Sequence, residues 1–455
     1  MKNIMVNVRK IGADLDIGRH SIGQGGLSGE PTFERHQHEI RNLKLKFIRL
    51  FLIDHHKVVL GPGKYDWTLL DKNVKNILEC GAKPVMCICY KPKHMYRIYD
   101  EKIVNPKNYG EWEEFIFQLV KRYKSFGVDY WEVANEPDFG EAGGCPNLFT
   151  QGNYGYYYER TVHAVRKANP KAKVGGPALA FHTSKILPAF LKYVKKHKIP
   201  LDFVSWHMYN QDPEAFKKSV IYVKKLLKEN KLKCETTINE WNGGFGGSLL
   251  ENLKMPEYQP CFLIETINNF LETGLSHSCY YHIRNVNFRR EYVEGILSER
   301  STVEVEYGVN YLFNILGVFD HQGIMRPSYF AFKLLSRLLG KKLITKNPKG
   351  NVKLLATYNA YEDDVNILIW NFAVKKPKAE KINLTIAGLK SGTYGYRRFL
   401  LDAKTTSNEE EKRLKVLNWE DTKKLTVFKD SFTLAPYGVT MINFKFNKTN
   451  KLVLY

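Results

Sequence analysis

The sequence predicts an α/β fold: a (β/α)8 TIM barrel followed by a C-terminal β-sandwich accessory domain. Three observations carry this. Through the first three quarters of the chain, short apolar runs rich in β-branched and aromatic residues alternate with amphipathic helical stretches, the pattern of a parallel sheet. With a first strand inside 11–22 the runs number eight, and eight βα units in this length suggest a closed barrel. After Gly340 the texture changes to short strand-like runs separated by turn residues.

The later barrel strands are expected at 45–52, 83–90, 130–134, 173–177, 201–208, 235–241 and 278–283. Helical periodicity falls at 109–125, 154–169, 186–197, 215–230 and 259–273, with a last helix at 326–339. The sandwich strands are expected at 352–358, 365–372, 382–386, 425–428 and 439–446. The domain bounds read as 10–340 for the barrel and 341–455 for the sandwich, joined by a strand from 1–9. The competing fold is an open doubly wound sheet. It calls for a G-x-G-x-x-G turn opening a helix, and the glycine-rich segment 23–29 has neither.

The length of 455 residues suits one large domain with an accessory one. An apolar fraction of 44% and a charged fraction of 25% are those of a soluble globular chain. No apolar run has the length of a membrane helix. Residues 1–9 alternate like a strand and lack the apolar core of a signal peptide, which points to the cytoplasm or to export after loss of a leader. The seven cysteines are odd in number and lie mostly in apolar runs, so they read as small core residues in a reducing compartment. Cys87 and Cys89 share a strand face, but no second Cys or His pair accompanies them to hold a metal. The net charge of +22 fits a nucleic-acid binder, an acidic substrate or a lysine-rich background. The lysines are scattered, and the interleaved basic and aromatic residues of nucleic-acid modules are lacking, so no nucleic-acid or membrane partner is expected.

Barrel active sites lie at the C-terminal ends of the strands. Strand two ends near Arg49. Strand four ends in Asn135-Glu136-Pro137, strand six in Trp206-His207-Met208-Tyr209, and strand seven in Asn239-Glu240-Trp241-Asn242. Strand eight ends in Tyr280-Tyr281-His282-Ile283-Arg284. Two carboxylates thus reach one rim. Glycosidic cleavage needs such a pair, one to protonate the leaving oxygen and one to attack carbon or activate water. Taken singly, Glu136 would read as a salt-bridged rim residue and Glu240 as a cap or surface carboxylate.

The run Trp131-Glu132-Val133-Ala134-Asn135-Glu136-Pro137 resembles the acid/base motif of clan A retaining glycosidases. More closely, the chain resembles glycoside hydrolase family 39, the family of β-xylosidases and α-L-iduronidases. The matching segments are Lys173-Val174-Gly175-Gly176-Pro177-Ala178, Asp202-Phe203-Val204-Ser205-Trp206-His207-Met208-Tyr209, Ile238-Asn239-Glu240-Trp241-Asn242 and Arg326-Pro327-Ser328-Tyr329-Phe330-Ala331-Phe332. The resemblance implies a retaining glycosidase that acts on a carbohydrate without metal or other cofactor, with Glu136 as acid/base and Glu240 as nucleophile. Two departures touch the sugar pocket. Arg49 is followed by Leu50 and Phe51 where the family usually places a histidine, and Tyr280-Tyr281-His282 stands where β-xylosidases carry a tryptophan.

Around the pair, Asn135 is placed to bond the sugar 2-hydroxyl. His207 and Tyr209 alternate on strand six and share a face, from which they would orient Glu240. Arg49 would hold Glu240 ionised or form a barrel-interior salt bridge. Trp241 and Tyr281 offer stacking faces, or core packing. His55 and His56 read as loop or sugar-contact residues. Arg284, Arg289 and Arg290 after strand eight, with Lys91, Lys93 and His94 after strand three, point to a uronate-containing or sulfated glycan. Neutral pentosides, or a non-catalytic carbohydrate-binding barrel, are the alternatives. The two glutamates argue against the latter.

Overall fold

The computed structural model describes residues 1–24, 34–51, 57–89, 91–98, 100–143, 147–244, 255–285, 288–293, 297–312, 316–405, 416–422 and 425–447. Eight parallel strands close into a barrel: β1 (His20–Gln24), β2 (Phe47–Phe51), β3 (Lys83–Ile88), β4 (Tyr130–Val133), β5 (Lys173–Leu179), β6 (Phe203–Tyr209), β7 (Glu235–Asn242) and β8 (His277–Tyr281). Strand β8 pairs back onto β1 and completes the closure.

The expected first strand divides in two. Ile11–Asp14 pairs with Lys341–Leu343 in another sheet, and only His20–Gln24 enters the barrel. The reason is cover. All five residues of His20–Gln24 are buried, as a barrel strand requires, whereas Ile11–Asp14 is mostly exposed. Helices Thr68–Glu79, Tyr109–Lys124, Tyr154–Ala168, Ile186–His197 and Pro213–Glu229 follow β2 to β6 in turn. Each buries one apolar stripe. Side-chain caps fix two of their starts: Asn108 accepts from Gly110 N–H, and Asp212 accepts from Glu214 N–H ahead of Pro213.

A second compact unit consists of Met1–Ile17, Gly247–Asn268 and Ile324–Tyr455. In it, Lys2–Asn7 pairs parallel with Glu380–Gly392, which pairs with Leu425–Leu434. A seven-stranded sheet runs from Val416–Asp421 through Tyr394–Leu401, Val439–Phe446, Asp364–Asn371, Val352–Asn359 and Lys341–Leu343 to Ile11–Asp14. Alternate residues of both sheets, including Ile4, Val6, Leu384 and Ile386 from one and Leu354, Ile367, Tyr396 and Phe444 from the other, form one apolar cluster. That is a sandwich core.

The barrel floor is polar. Glu235, the first residue of β7, accepts from Lys173 Nζ at 2.7 Å and Tyr130 Oη at 3.2 Å, and pairs with His277 Nε2 at 3.0 Å. These partners open β5, β4 and β8, so one carboxylate ties four strand starts. Burial would raise this carboxyl, but the bonds from His277 and Lys173 overcome burial and lower it from 4.5 to about 2. A lowered folded value stabilises above the ordinary value and is lost as pH falls through the folded one. Glu235→Gln is therefore expected to lower the melting temperature by roughly 2–6 °C near neutral pH. The gap to wild type should narrow as pH falls from about 4.5 towards 2. A gap independent of pH in thermal melts would contradict the assignment.

Candidate active site

A regular strand sends neighbouring side chains to opposite faces. Three local irregularities at the barrel mouth break that rule. Trp206 pairs with Ile238, yet His207 pairs with Glu240, so Asn239 is an extra residue in β7. Ser205 pairs with Pro177 and Trp206 with Leu179, which leaves Ala178 extra in β5, at φ 54°. Past β4, Ala134 and Glu136 take left-handed φ of 73° and 44°. Each left-handed residue costs about 1–3 kcal/mol. In return Asn135 with Glu136, and Asn239 with Glu240, turn adjacent side chains into one lumen. The Glu136 N–H donates to Ala178 O at 2.8 Å and joins two of the irregularities.

Arg49 of β2 lies at the centre, 2% exposed. Its Nε donates to Glu132 Oε2 at 2.7 Å, Nη1 to Glu240 Oε2 at 3.3 Å, and Nη2 to Asn135 Oδ1 at 2.7 Å and Cys87 Sγ at 3.4 Å. Burial opposes its charge, but the carboxylates of Glu132 and Glu240 overcome burial and raise its pKa. Asn239 Nδ2 donates to the other Glu132 oxygen at 2.6 Å. Phe51 stacks under the guanidinium at 4.6 Å and belongs to an apolar cluster with Cys87, Cys89, Phe288 and Val293. The position where a family histidine was expected is thus near an apolar wall.

Glu136 Oε1 lies 2.8 Å from His207 Nδ1. Burial first, then the charge of Asp138, raises the Glu136 carboxyl from 4.5 to about 8, against the pull of Arg49. Asp138 is itself held by Ala180 and Phe181 N–H at 2.9 and 3.2 Å. Burial lowers His207 to about 4, so its ring is neutral near pH 7. Gly143 leaves the space that Glu136 occupies: a Cβ there would lie 2.1 Å from Glu136 Oε2.

Glu240 has different neighbours. Tyr209 Oη donates to its Oε1 at 2.5 Å, and Arg49 holds Oε2. Burial raises this carboxyl as well, while Arg49 and Tyr209 pull it down. One oxygen each of Glu136 and Glu240 and a His207 nitrogen lie within 4.8 Å of one another. Among the described residues this is also the grouping close enough to share a metal ion. Each carboxyl already has a hydrogen-bond partner, however, an arrangement suited to two carboxyls flanking a reacting carbon.

The structure brings together Arg49, Asn135, Glu136, His207, Tyr209 and Glu240. Tyr281 joins them: its ring meets that of Tyr209 edge-on at 6.4 Å, and Glu240 and Glu136 both raise its pKa after burial. His207 reaches both carboxyls, 2.8 Å from Glu136 and 3.7 Å from Glu240. For Trp241, of the two readings offered, the structure takes core packing over a stacking face. Trp241 is 0% exposed among Phe216, Phe270 and Tyr280, because the residue after inward-facing Glu240 faces outward. His94 pairs with Glu111 at 2.6 Å. His282 meets Gln24 Nε2 at 3.4 Å. Arg284 donates to His321 O at 3.3 Å, and its backbone N–H donates to Gln24 Oε1. His55 and His56 lie outside the described residues. Glu132, Asn239, Asp138 and Gly143 were not anticipated. An acidic residue inside the apolar run 130–134 was the available signal for Glu132.

A carboxyl pair at the C-terminal mouth of a (β/α)8 barrel is an arrangement that glycosidic cleavage can use. The description "Glycosyl hydrolases family 39" matches residues 41–409. The chain belongs to glycosyl hydrolases family 39, and it is a glycosidase with a carbohydrate substrate. It is 26% identical over 362 residues to a beta-xylosidase of Caldicellulosiruptor saccharolyticus, covering 73% of this chain and 69% of that protein. Its fold is like that of a monomeric beta-xylosidase from Caulobacter crescentus CB15, with TM-score 0.78, 20% identity, and 98% and 99% of the two chains covered. It is also like the bacterial orthologue of human α-L-iduronidase, with TM-score 0.76, 14% identity, and 98% and 84% covered. No helix among the described residues is long and apolar enough to cross a membrane.

Gly143→Ala is expected to push the Glu136 carboxyl off His207 while leaving the barrel folded. A crystal structure of the variant that keeps the 2.8 Å Glu136–His207 contact would contradict this.

Proposed function

We propose that the enzyme is a retaining glycosidase in which Glu240 is the nucleophile and Glu136 the acid/base. The observation that supports this most is the 4.8 Å limit on the separation of their nearest oxygens. Retaining pairs stand about 5–5.5 Å apart, and inverting pairs about 6.5–9.5 Å, with room for a water between. In the first step a Glu240 oxygen bonds to the anomeric carbon. The bond from that carbon to the leaving oxygen breaks, and the leaving oxygen takes the Glu136 proton. In the second step Glu136 removes a proton from water, which attacks the same carbon and frees Glu240.

The protonation states suit these roles. Raised to about 8, Glu136 carries its proton at neutral pH. Neutral His207, with hydrogen on Nδ1, would donate to Oε1 and leave Oε2, beside Gly143, to carry the transferable proton. Tyr209 and Arg49 hold Glu240 aimed and charged. Asn135 Oδ1 is taken by Arg49, and Nδ2 has only a 3.4 Å contact to Gly143 O, so Nδ2 is the atom for the sugar 2-hydroxyl.

For the substrate we favour a neutral β-pentoside, the kind of sugar for which the beta-xylosidase relatives are named. Most of the cations that point to an acidic glycan have partners within the protein. Arg289 pairs with Glu291, Arg290 with Glu299 and Glu306, and Lys91 donates to Asp100 O at 2.7 Å. The acidic-glycan reading rests on exposed Lys93 and on Arg284, whose contact with His321 O is long. Matched neutral and uronate glycosides, assayed with wild type and Arg284→Ala, separate the two. Preference for the uronate that Arg284→Ala removes would favour the acidic glycan.

Glu240→Ala is expected to abolish turnover of every substrate. Glu136→Ala should cost about 10²–10⁴-fold on poor leaving groups and far less on activated aryl glycosides. For wild type, kcat/KM should fall above about pH 8 as Glu136 loses its proton. That limb should vanish in Glu136→Ala with activated substrates. Equal losses on both leaving-group types would overturn the acid/base assignment.

A further inference from the structure

We infer that Glu132 is a positioning residue for the reaction: it shares the charge of Arg49 with Glu240, so that the nucleophile is kept ionised without being tightly clamped. This rests on the two-glutamate reading above. Glu132 is 0% exposed and lies below the reacting carboxyls, in contact with Arg49 and Asn239. Its bond to Arg49, at 2.7 Å, is shorter than the 3.3 Å contact between Arg49 and Glu240. The principal counter-ion of the guanidinium is therefore the carboxylate that does not react.

This matters in both halves of the reaction. The groups facing Glu240 are Arg49 from β2, Glu136 from beyond β4, His207 and Tyr209 from β6, and Cys279 and Tyr281 from β8. With His207 neutral, Arg49 is the one cation among them. An undivided cation at hydrogen-bond range would lower the Glu240 pKa and its nucleophilicity together. When Glu240 becomes a glycosyl ester, its negative charge is gone. Arg49 would then be an uncompensated cation in a buried lumen, an arrangement of high energy. Glu132 keeps it paired through the lifetime of the intermediate.

The surroundings of Glu132 allow a clean substitution. Glu132→Gln keeps the shape and removes the charge. Asn239 Nδ2 now donates to Glu132, while the buried Asn239 Oδ1 has no hydrogen-bond partner among the described residues. Rotating the Asn239 amide would let Oδ1 accept from the new amide. The expected result is an acid limb of kcat/KM that moves to lower pH by about one unit or more, because Arg49 then acts on Glu240 alone. Turnover of an activated aryl β-xyloside should fall by roughly threefold per unit of pKa lost, since nucleophilicity follows pKa with a slope of about one half. Glu132→Asp, which keeps the charge, should leave the limb near its wild-type position. Asn239→Ala concentrates the hold of Glu132 on Arg49 and should move the limb upward, so the sign can be read even where Glu132→Gln fails to fold. An activated fluoro-β-xyloside that traps the intermediate separates the two levels of the reading. If the trapped label sits on a residue other than Glu240, the two-glutamate reading fails. If Glu240 is labelled but the limb stays put in Glu132→Gln, or moves alike in all three variants, the role of Glu132 is overturned.

Discussion

The barrel mouth is organised by one buried cation with four acceptors. Arg49 meets Glu132, Glu240, Asn135 and Cys87 in a lumen closed on every side by strands. Placing a charge there costs several kcal/mol unless its hydrogen bonds are met with good geometry, and removing one partner of such a pair typically costs about 3–5 kcal/mol. The irregularities in β7 and after β4 follow from that demand. Without the extra residue Asn239 and the left-handed Ala134 and Glu136, regular alternation would turn one of each adjacent pair out of the lumen. The strain at the mouth is offset by the bonds it makes possible.

The same burial gives the two glutamates different characters because their neighbours differ. Glu136 has a neutral imidazole for a partner and the Asp138 carboxylate nearby, and both leave burial free to hold its proton on. Glu240 has a cation and a phenol hydroxyl directed at its two oxygens, and both favour the charged form. Gly143 adds a steric condition, since any side chain there would occupy the place of the Glu136 carboxyl.

Much of this was legible in the sequence, because the signals were periodic or local. Alternating strands and helices gave the barrel, and polar residues at strand ends gave Arg49, Asn135, Glu136, His207, Tyr209 and Glu240. Tyr281 also proved to face the site. The misreadings have physical causes. The stretch 11–22 looked like one strand, but unbroken burial begins only at His20, after the lone buried Ile17. Trp241 was within reach of simple alternation, which places it behind Glu240. Asn239 was not, since alternation also places it behind, and only the extra residue in β7 turns it inward. Glu132 finds its partner 83 positions away across the lumen, and no local pattern encodes that. The basic residues after β8 looked free because Glu299 and Glu306 follow in the sequence without any sign that they fold back onto Arg290.

Double displacement at Glu240 requires that the sugar leave with the configuration it had on arrival. Proton NMR during the first minutes of hydrolysis of an aryl β-pentoside tests this most directly. The β-anomer of the free sugar should appear first, with the α-anomer growing in only as mutarotation proceeds. An α-anomer formed first would mean direct attack by water, and would contradict Glu240 as nucleophile opposite Glu136.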